Sequence, residues 1–287
     1  MAALMRHFET PKPTQVTVGI PVGSVHLIAS DRGDTVVTVN PTDRTRAVDV
    51  EAAEKTTVEF INGGVVVQGP RPRGFKYVGW GKAGSVDVTI ELPSGSPVRG
   101  DAGVGDFRAD GRLGETFIRS GVGDVRLDET GAVNVVSGLG SFTINRAAGQ
   151  ARVVTAGEMR LASIDGDLEL KNQNGKTWIG EVNGPARVKS DNGDITIDTA
   201  HGSLTVKTAN GDIQIGAVET GAVDIKTAAG HVDIGITEGT AAWVDANTQF
   251  GRVLNLMGEG ATPESTPERK VEIHARTAYG DISLHRS

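Results

Sequence analysis

From about residue 105 to residue 239 apolar side chains recur in pairs, two and four residues after a glycine, and the pattern then restarts. Such pairs are Val125 and Leu127, Phe142 and Ile144, Leu168 and Leu170, Ile195 and Ile197, Ile213 and Ile215, and Val232 and Ile234. Alternation with a period of two over so short a run predicts a strand with one buried face. The glycines that punctuate it fall at 105, 114, 123, 131, 140, 149, 157, 166, 175, 184, 193, 202, 211, 221, 230 and 239, so each strand and corner takes eight to ten residues. Alternate units carry a small polar residue at the sixth position, namely Ser120, Ser137, Thr155, Asn172, Ser190, Thr208 and Thr227. The full period is therefore two units.

Two folds use a short strand followed by a glycine corner: an antiparallel meander with Asn210-Gly211 as a hairpin turn, and a parallel coil in which two units complete one winding. The polar column separates them. In a meander, residues two strands apart lie about 10 Å from one another and nothing ties their identities together. In a coil they are stacked at about 4.8 Å, and inward Ser, Thr and Asn can hydrogen-bond along the column, as buried polar groups must. The pattern thus predicts an all-β protein built as a parallel β-solenoid of about 18 residues per coil, with about eight coils. Glycine is expected at the corners because the backbone turns there through angles that a side chain resists.

The ends read differently. Residues 1–13 form an N-terminal arm, and 14–97 alternate like strands without the glycine clock (Val16, Val18, Ile20; Val86, Val88, Ile90), which predicts a β cap grading into the coils. Residues 98–257 are the repeats. Residues 258–270, rich in Pro, Glu and Thr, read as an exposed loop, and 271–287 return to the repeat pattern as strands expected to close the stack.

Composition agrees with many short strands: 39 glycines and 4% aromatic residues in 287. A net charge of −7 gives no general attraction to nucleic acid or to an anionic membrane. The absence of cysteine removes disulfides, thiol nucleophiles and cysteine-based zinc sites. MAALMRHFETPKP lacks the apolar core of a signal peptide, and no stretch has the length of a membrane span. The expectation is a cytoplasmic protein.

Taken together, "FETPKPTQVTVGIPVGSVHLIASDRGDTVVTVNP", "GSVDVTIELPSGSPV", the repeated S/T-x-x-G-D-I/V-x-I/L units and "RTAYGDISLHRS" resemble the bacterial "putative adhesin" proteins of unknown function, described as β-strand-repeat-containing. The resemblance covers nearly the whole chain. It implies a right-handed parallel β-helix and no established enzymatic activity, and it supplies no catalytic residues.

Candidate chemistry is sparse. Nonapeptide β-rolls bind calcium between coils, but here Asp follows the corner glycine (Asp106, Asp124, Asp194, Asp212, Asp281) and gives way to Ser141, Glu158, Lys176, His231 and Arg252 in equivalent places, so no oxygen ladder recurs. The row reads instead as solvated turns in which Lys176 pairs with Glu158 and Asp194. Carbohydrate cleavage on a β-helix is the alternative function and needs two facing carboxylates. Glu169 is the one carboxylate in the middle of its outward row, Phe117, Asn134, Arg152, Glu169, Arg187, Thr205, Asp224; Arg152 and Arg187 on either side would keep it ionised. The histidines, His7, His26, His201, His231, His274 and His285, form no triad in the sequence. The best binding candidate is RPRGFKYVGWGK: Arg71, Arg73, Lys76 and Lys82 interleave with Phe75, Tyr77 and Trp80. Cations among aromatics suit an acidic partner, a glycan or single-stranded nucleic acid, and a hairpin that covers the end of the coil would use the same residues. Trp178, expected to point outward in the opposite row, is a smaller clue of this kind.

These readings amount to a non-catalytic binding or scaffold protein without metal or cofactor. Its partner would be a protein or a glycan, with self-association through faces or ends, no membrane and no nucleic acid.

Overall fold

The computed structural model describes residues 4–70, 83–258 and 269–287, in two compact units, Met1–Ile144 and Asn145–Ser287. Both are parallel β-solenoids. Among the described residues no helix is long and apolar enough to cross a membrane.

The N-terminal unit contains β1 (Leu4–Glu9), β2 (Val16–Ser30), β3 (Asp34–Pro41), α1 (Ala47–Lys55), β4 (Thr57–Ile61), β5 (Gly64–Gln68), β6 (Val86–Pro93), β7 (Val98–Arg112), β8 (Thr116–Val122), β9 (Val125–Thr130) and β10 (Val133–Leu139); β11 (Phe142–Ala147) straddles the division. β2 is already a full winding. It lies parallel to β7, Val16 opposite Val98 through Ile28 opposite Asp110, and its other side is taken by β5 and β6, also parallel. The cap proper is antiparallel: β4 on β5, β3 on β6, and β1 on β3. The expected arm is therefore partly a strand of the cap sheet. The helix α1 was not foreseen. Its Ala- and Glu-rich turn buries Asp49, whose carboxylate accepts the Ser85 backbone N–H at 3.0 Å. The turn sits against Gly84, where a Cβ would meet the Val48 carbonyl at 2.1 Å.

The C-terminal unit winds through β12 (Ala151–Thr155), β13 (Met159–Ile164), β14 (Leu168–Asn174), β15 (Thr177–Val182), β16 (Ala186–Asn192), β17 (Ile195–Ala200), β18 (Leu204–Asn210), β19 (Ile213–Val218), β20 (Gly221–Ala229), β21 (Val232–Ile236), β22 (Thr240–Phe250), β23 (Val253–Asn255), β24 (Arg269–Tyr279) and β25 (Ile282–Arg286). Even-numbered strands stack in parallel on one side and odd-numbered strands on the other, as Leu170–Val188–Val206–Ile225 and Ile179–Ile197–Ile215–Ile234 show. These columns are fully buried, so each winding hides its apolar residues only by stacking on the next.

The order of windings departs from the order of the chain at the end. β24 and β25 do not close the stack as expected. They are inserted, with β24 between β20 and β22, and β25 between β21 and β23. The physical reason lies in the column residues: Val271, Ile273, Ala275, Ile282 and Leu284 can be covered on both sides and are buried, whereas Ala242, Ala246 and Asn255 bring less apolar surface to the outermost place.

The polar column is buried as predicted but is satisfied differently. Several hydroxyls reach backbone carbonyls at the glycine corners, Ser120 to Gly105 at 3.2 Å, Thr227 to Gly211 at 3.4 Å, Thr277 to Gly230 at 3.1 Å and Thr248 to Gly280 at 2.9 Å, whereas Ser190 and Thr208 donate to Asn192 and Asn210 of their own strands, each at 3.3 Å. The corner carbonyl is the nearer acceptor because the backbone turns inward there. The glycine column has two causes at once. Gly193, Gly211 and Gly230 have φ of 123°, 142° and 150°, and a Cβ on each would lie 2.0–2.3 Å from the carbonyl oxygen of the glycine one winding below.

Candidate interaction surfaces

The aspartates of the Gly-Asp units belong to the corners. Asp124 accepts the Ser141 N–H at 2.9 Å, Asp212 that of His231 at 2.7 Å and Asp281 that of Arg252 at 2.8 Å, each one winding away. The backbone donors hold the carboxyls of Asp124 and Asp281 below the usual range. Lys176 lies 3.7 Å from Asp194 and is itself largely exposed. Among the described residues no group of three or more His, Asp or Glu is placed to hold a metal.

Outward side chains stand in rows because parallel strands in register repeat each position one strand spacing away. Arg160, Trp178, Thr196, Gln214 and Asp233 are successive partners in one row. Trp178 is half-buried: the Arg160 guanidinium lies 4.1 Å from its ring centre, and its Nε1 donates to Asp198 at 3.2 Å. In the opposite row Glu169 faces Arg187 in register, but its ion-pair partners are Arg152 at 2.8 Å and Lys171 at 3.5 Å. Lys171 takes the place expected for Arg187 because it leaves the same strand on the same face, two residues on. Chiefly through Arg152, the Glu169 carboxyl is held below its ordinary range. The candidate residues Arg71, Arg73, Phe75, Lys76, Tyr77, Trp80 and Lys82 lie outside the described residues.

Two clusters escaped the sequence reading. One is a column of cations, Lys171, Lys189, Lys207, Lys226 and Arg276, on successive windings; the signal was present as lysines recurring at two positions past the outward row. The other surrounds His201. Its Nε2 lies 2.8 Å from Glu181 and its Nδ1 3.0 Å from Glu219, which in turn is 3.9 Å from Arg269. His201 and Glu219 are one winding apart, each following the paired Ala200 and Val218, but Glu181 stands in register with Thr199 and Arg269 arrives with the inserted strand β24, so the four share no common period.

Hydrogen bonding to Glu219 raises the His201 pKa above its ordinary 6.5, and the same bond lowers that of Glu219 below 4.5. The histidine's contribution to stability is complete below pH 6.5 and fades as pH rises through its higher folded value. That of Glu219 is complete above pH 4.5 and is lost as pH falls through its lower folded value. His201→Gln is therefore expected to cost most between these limits, by less than about 1 kcal/mol given solvent screening. The deficit should narrow at alkaline pH in urea unfolding; a deficit that does not change with pH contradicts the clamp.

The outermost winding of the C-terminal unit presents a third surface. Trp243 is 57% exposed, Phe250 64%, Val253 43% and Leu256 65%. Ala242, Val244, Ala246 and Thr248 occupy the inward columns, opposite Val271, Ile273, Ala275 and Thr277, yet they are only half-buried. Among the described residues no strand pairs with the outer edge of β22.

The Toastrack DUF4097 family model matches residues 23–286. No curated protein matches the chain. Among solved structures, a putative adhesin from Bacteroides fragilis NCTC 9343 is 12% identical with TM-score 0.39, over 99% of this chain and 97% of that one. A putative adhesin from Parabacteroides distasonis ATCC 8503 is 11% identical with TM-score 0.37, over 100% and 97%. A putative lipid binding protein from the same strain is 11% identical with TM-score 0.28, over 99% and 96%. Likenesses of this size carry no argument about function.

Proposed function

Since the chain belongs to the Toastrack DUF4097 family, whose fold is a β-solenoid, we propose that it is a non-catalytic binding scaffold that presents its outward rows to a partner and associates with a second copy through the last winding. The observation that carries the reading is the β22 edge, which no strand among the described residues covers, with core columns half open and aromatic side chains exposed beside them. Exposed strand edges of this length are templates for pairing unless they are blocked, and β22 carries neither lysine nor proline.

A two-fold arrangement fits the sequence of the edge. Antiparallel pairing about Ala246 sets Asp245 opposite Asn247 and Val244 opposite Thr248, and every inward residue stays inward. Pairing about Asp245 would oppose two carboxylates. The end face measures about 36 Å along β22 by about 20 Å across both sheets, or roughly 700 Å² per partner, close to a standard stable interface.

Sedimentation velocity tests this. The wild-type chain is expected to dimerise at micromolar concentration, and Val244→Lys with Val253→Lys to remain monomeric with an unchanged circular dichroism spectrum. A wild-type protein that stays monomeric at a hundred times that concentration removes the self-association, as does a double variant that dimerises equally well.

A further inference from the structure

The sheet of β14, β16, β18, β20 and β24 carries its cations in single file. Lys171 stands opposite Lys189, Lys189 opposite Lys207, Lys207 opposite Lys226, and Lys226 opposite Arg276. Neighbours in such a column are about 4.8 Å apart, and like charges directly opposite one another destabilise a sheet. At the flanks the repulsion is offset within the chain: Lys171 pairs with Glu169 at 3.5 Å, Lys226 with Asp224 at 3.4 Å and Arg276 with Asp245 at 3.7 Å. At the centre it is not. Among the described residues Lys189, Lys207 and the exposed Arg187, two positions before Lys189 on the same face, form no ion pair. The face beside Lys207 is low, since its neighbours two residues away are Thr205 and Ala209.

We propose that this column is a docking track for a linear anionic polysaccharide with one carboxylate on each sugar ring, laid along the stack so that alternate rings turn their carboxylates to the column. The repeat of the column favours this ligand over other polyanions. A pyranose chain linked through opposite ring carbons advances by close to one strand spacing per ring and turns alternate carboxylates to opposite sides, so its same-side carboxylates recur at about every second winding. An extended acidic peptide places same-side carboxylates about 7 Å apart and drifts out of step within two windings. Duplex nucleic acid offers two phosphate strands and calls for a wider basic surface, on a protein whose net charge is −7. The inference rests on the reading of the faces as binding surfaces and does not need the end-to-end dimer.

The test is calorimetric titration of the full chain with oligogalacturonates of increasing length, with neutral gluco-oligosaccharides and oligothymidylate of matched length beside them. Affinity for oligogalacturonate should climb with length until the column is filled and then level off, and it should fall with salt as released counterions predict. Lys189→Gln with Lys207→Gln should weaken it about twentyfold, Lys189→Arg with Lys207→Arg should retain it, and neither pair should lower the melting temperature. The proposal is overturned by no binding at millimolar ligand, by unchanged affinity in the glutamine variant, or by oligothymidylate binding as tightly as the uronate oligomer. A chain that is monomeric in sedimentation yet titrates as expected loses only the end-to-end association. A dimer that ignores oligogalacturonate loses only the track.

Discussion

Gly211→Ala is expected to cost about 4 kcal/mol or more of unfolding free energy, against about 1 kcal/mol for Gly239→Ala. Both glycines have positive φ, 142° and 76°, so both substitutions strain the backbone. They differ in what the new methyl meets. At Gly239 there is nothing within 4 Å, whereas at Gly211 the Gly193 carbonyl oxygen lies 2.2 Å away and its carbon 2.6 Å. Those atoms are backbone and cannot swing aside, so the windings must part. Parting them uncovers columns on both sides, because every winding depends on its neighbours for burial. Gly251→Ala makes a comparable clash, with the Gly280 oxygen at 2.0 Å, yet should cost less, since the outermost winding can lift without breaking a second interface. Urea unfolding followed by circular dichroism measures all three; equal losses for Gly211→Ala and Gly239→Ala would refute the close-approach account.

The second large effect is a difference of sign between two equivalent repeat positions. Asn172 is 3% exposed and its Nδ2 donates toward Gly157 O at 3.0 Å, Gly175 O at 3.0 Å and Thr177 Oγ1 at 3.3 Å. Asn172→Ala removes the donor from two part-buried corner carbonyls and should cost about 2 kcal/mol. Asn172→Ser should recover part of this, because a serine hydroxyl in the column reaches one corner carbonyl, as Ser120 does. Ser137 holds the equivalent repeat position in the N-terminal unit, 5% exposed, with an Oγ that has no partner among the described residues. Ser137→Ala therefore relieves a buried unmet group and should gain about 1 kcal/mol. Thermal or urea unfolding decides the matter: a mild Asn172→Ala or a damaging Ser137→Ala shows that the column is not governed by corner carbonyls.

What the sequence disclosed, it disclosed through periodicity. Leu170, Val188, Val206 and Ile225 recur at the winding length because the same place in each turn is buried by the same place in the next, so parallel stacking and the inward columns were legible. Asp124 and Asp212 were legible as turn residues but not as acceptors for the next winding's N–H, since that bond depends on how the corner is turned. The insertion of β24 and β25 was hidden for a different reason. "TAYGDISL" announces that a winding fits the stack, and it does not say between which neighbours. Glu169 was read as flanked by arginines because only one outward position per strand was followed; the adjoining position holds Lys171 and the rest of the cation column. His201 and Glu219 do follow the winding length, but Glu181 belongs to a different register position and Arg269 to the inserted strand, so the period discloses one pair and not the cluster.

The inserted strands bear on synthesis. A ribosome delivers the chain N-terminus first, so residues 240–255 emerge while the segment that must lie beneath them is still being made. That winding cannot settle in its final place until β24 and β25 have left the exit tunnel. A chain cut short before residue 269 would lack the strands that lie between β20 and β22 and between β21 and β23, so its last winding could stack only in a place it does not occupy in the whole molecule.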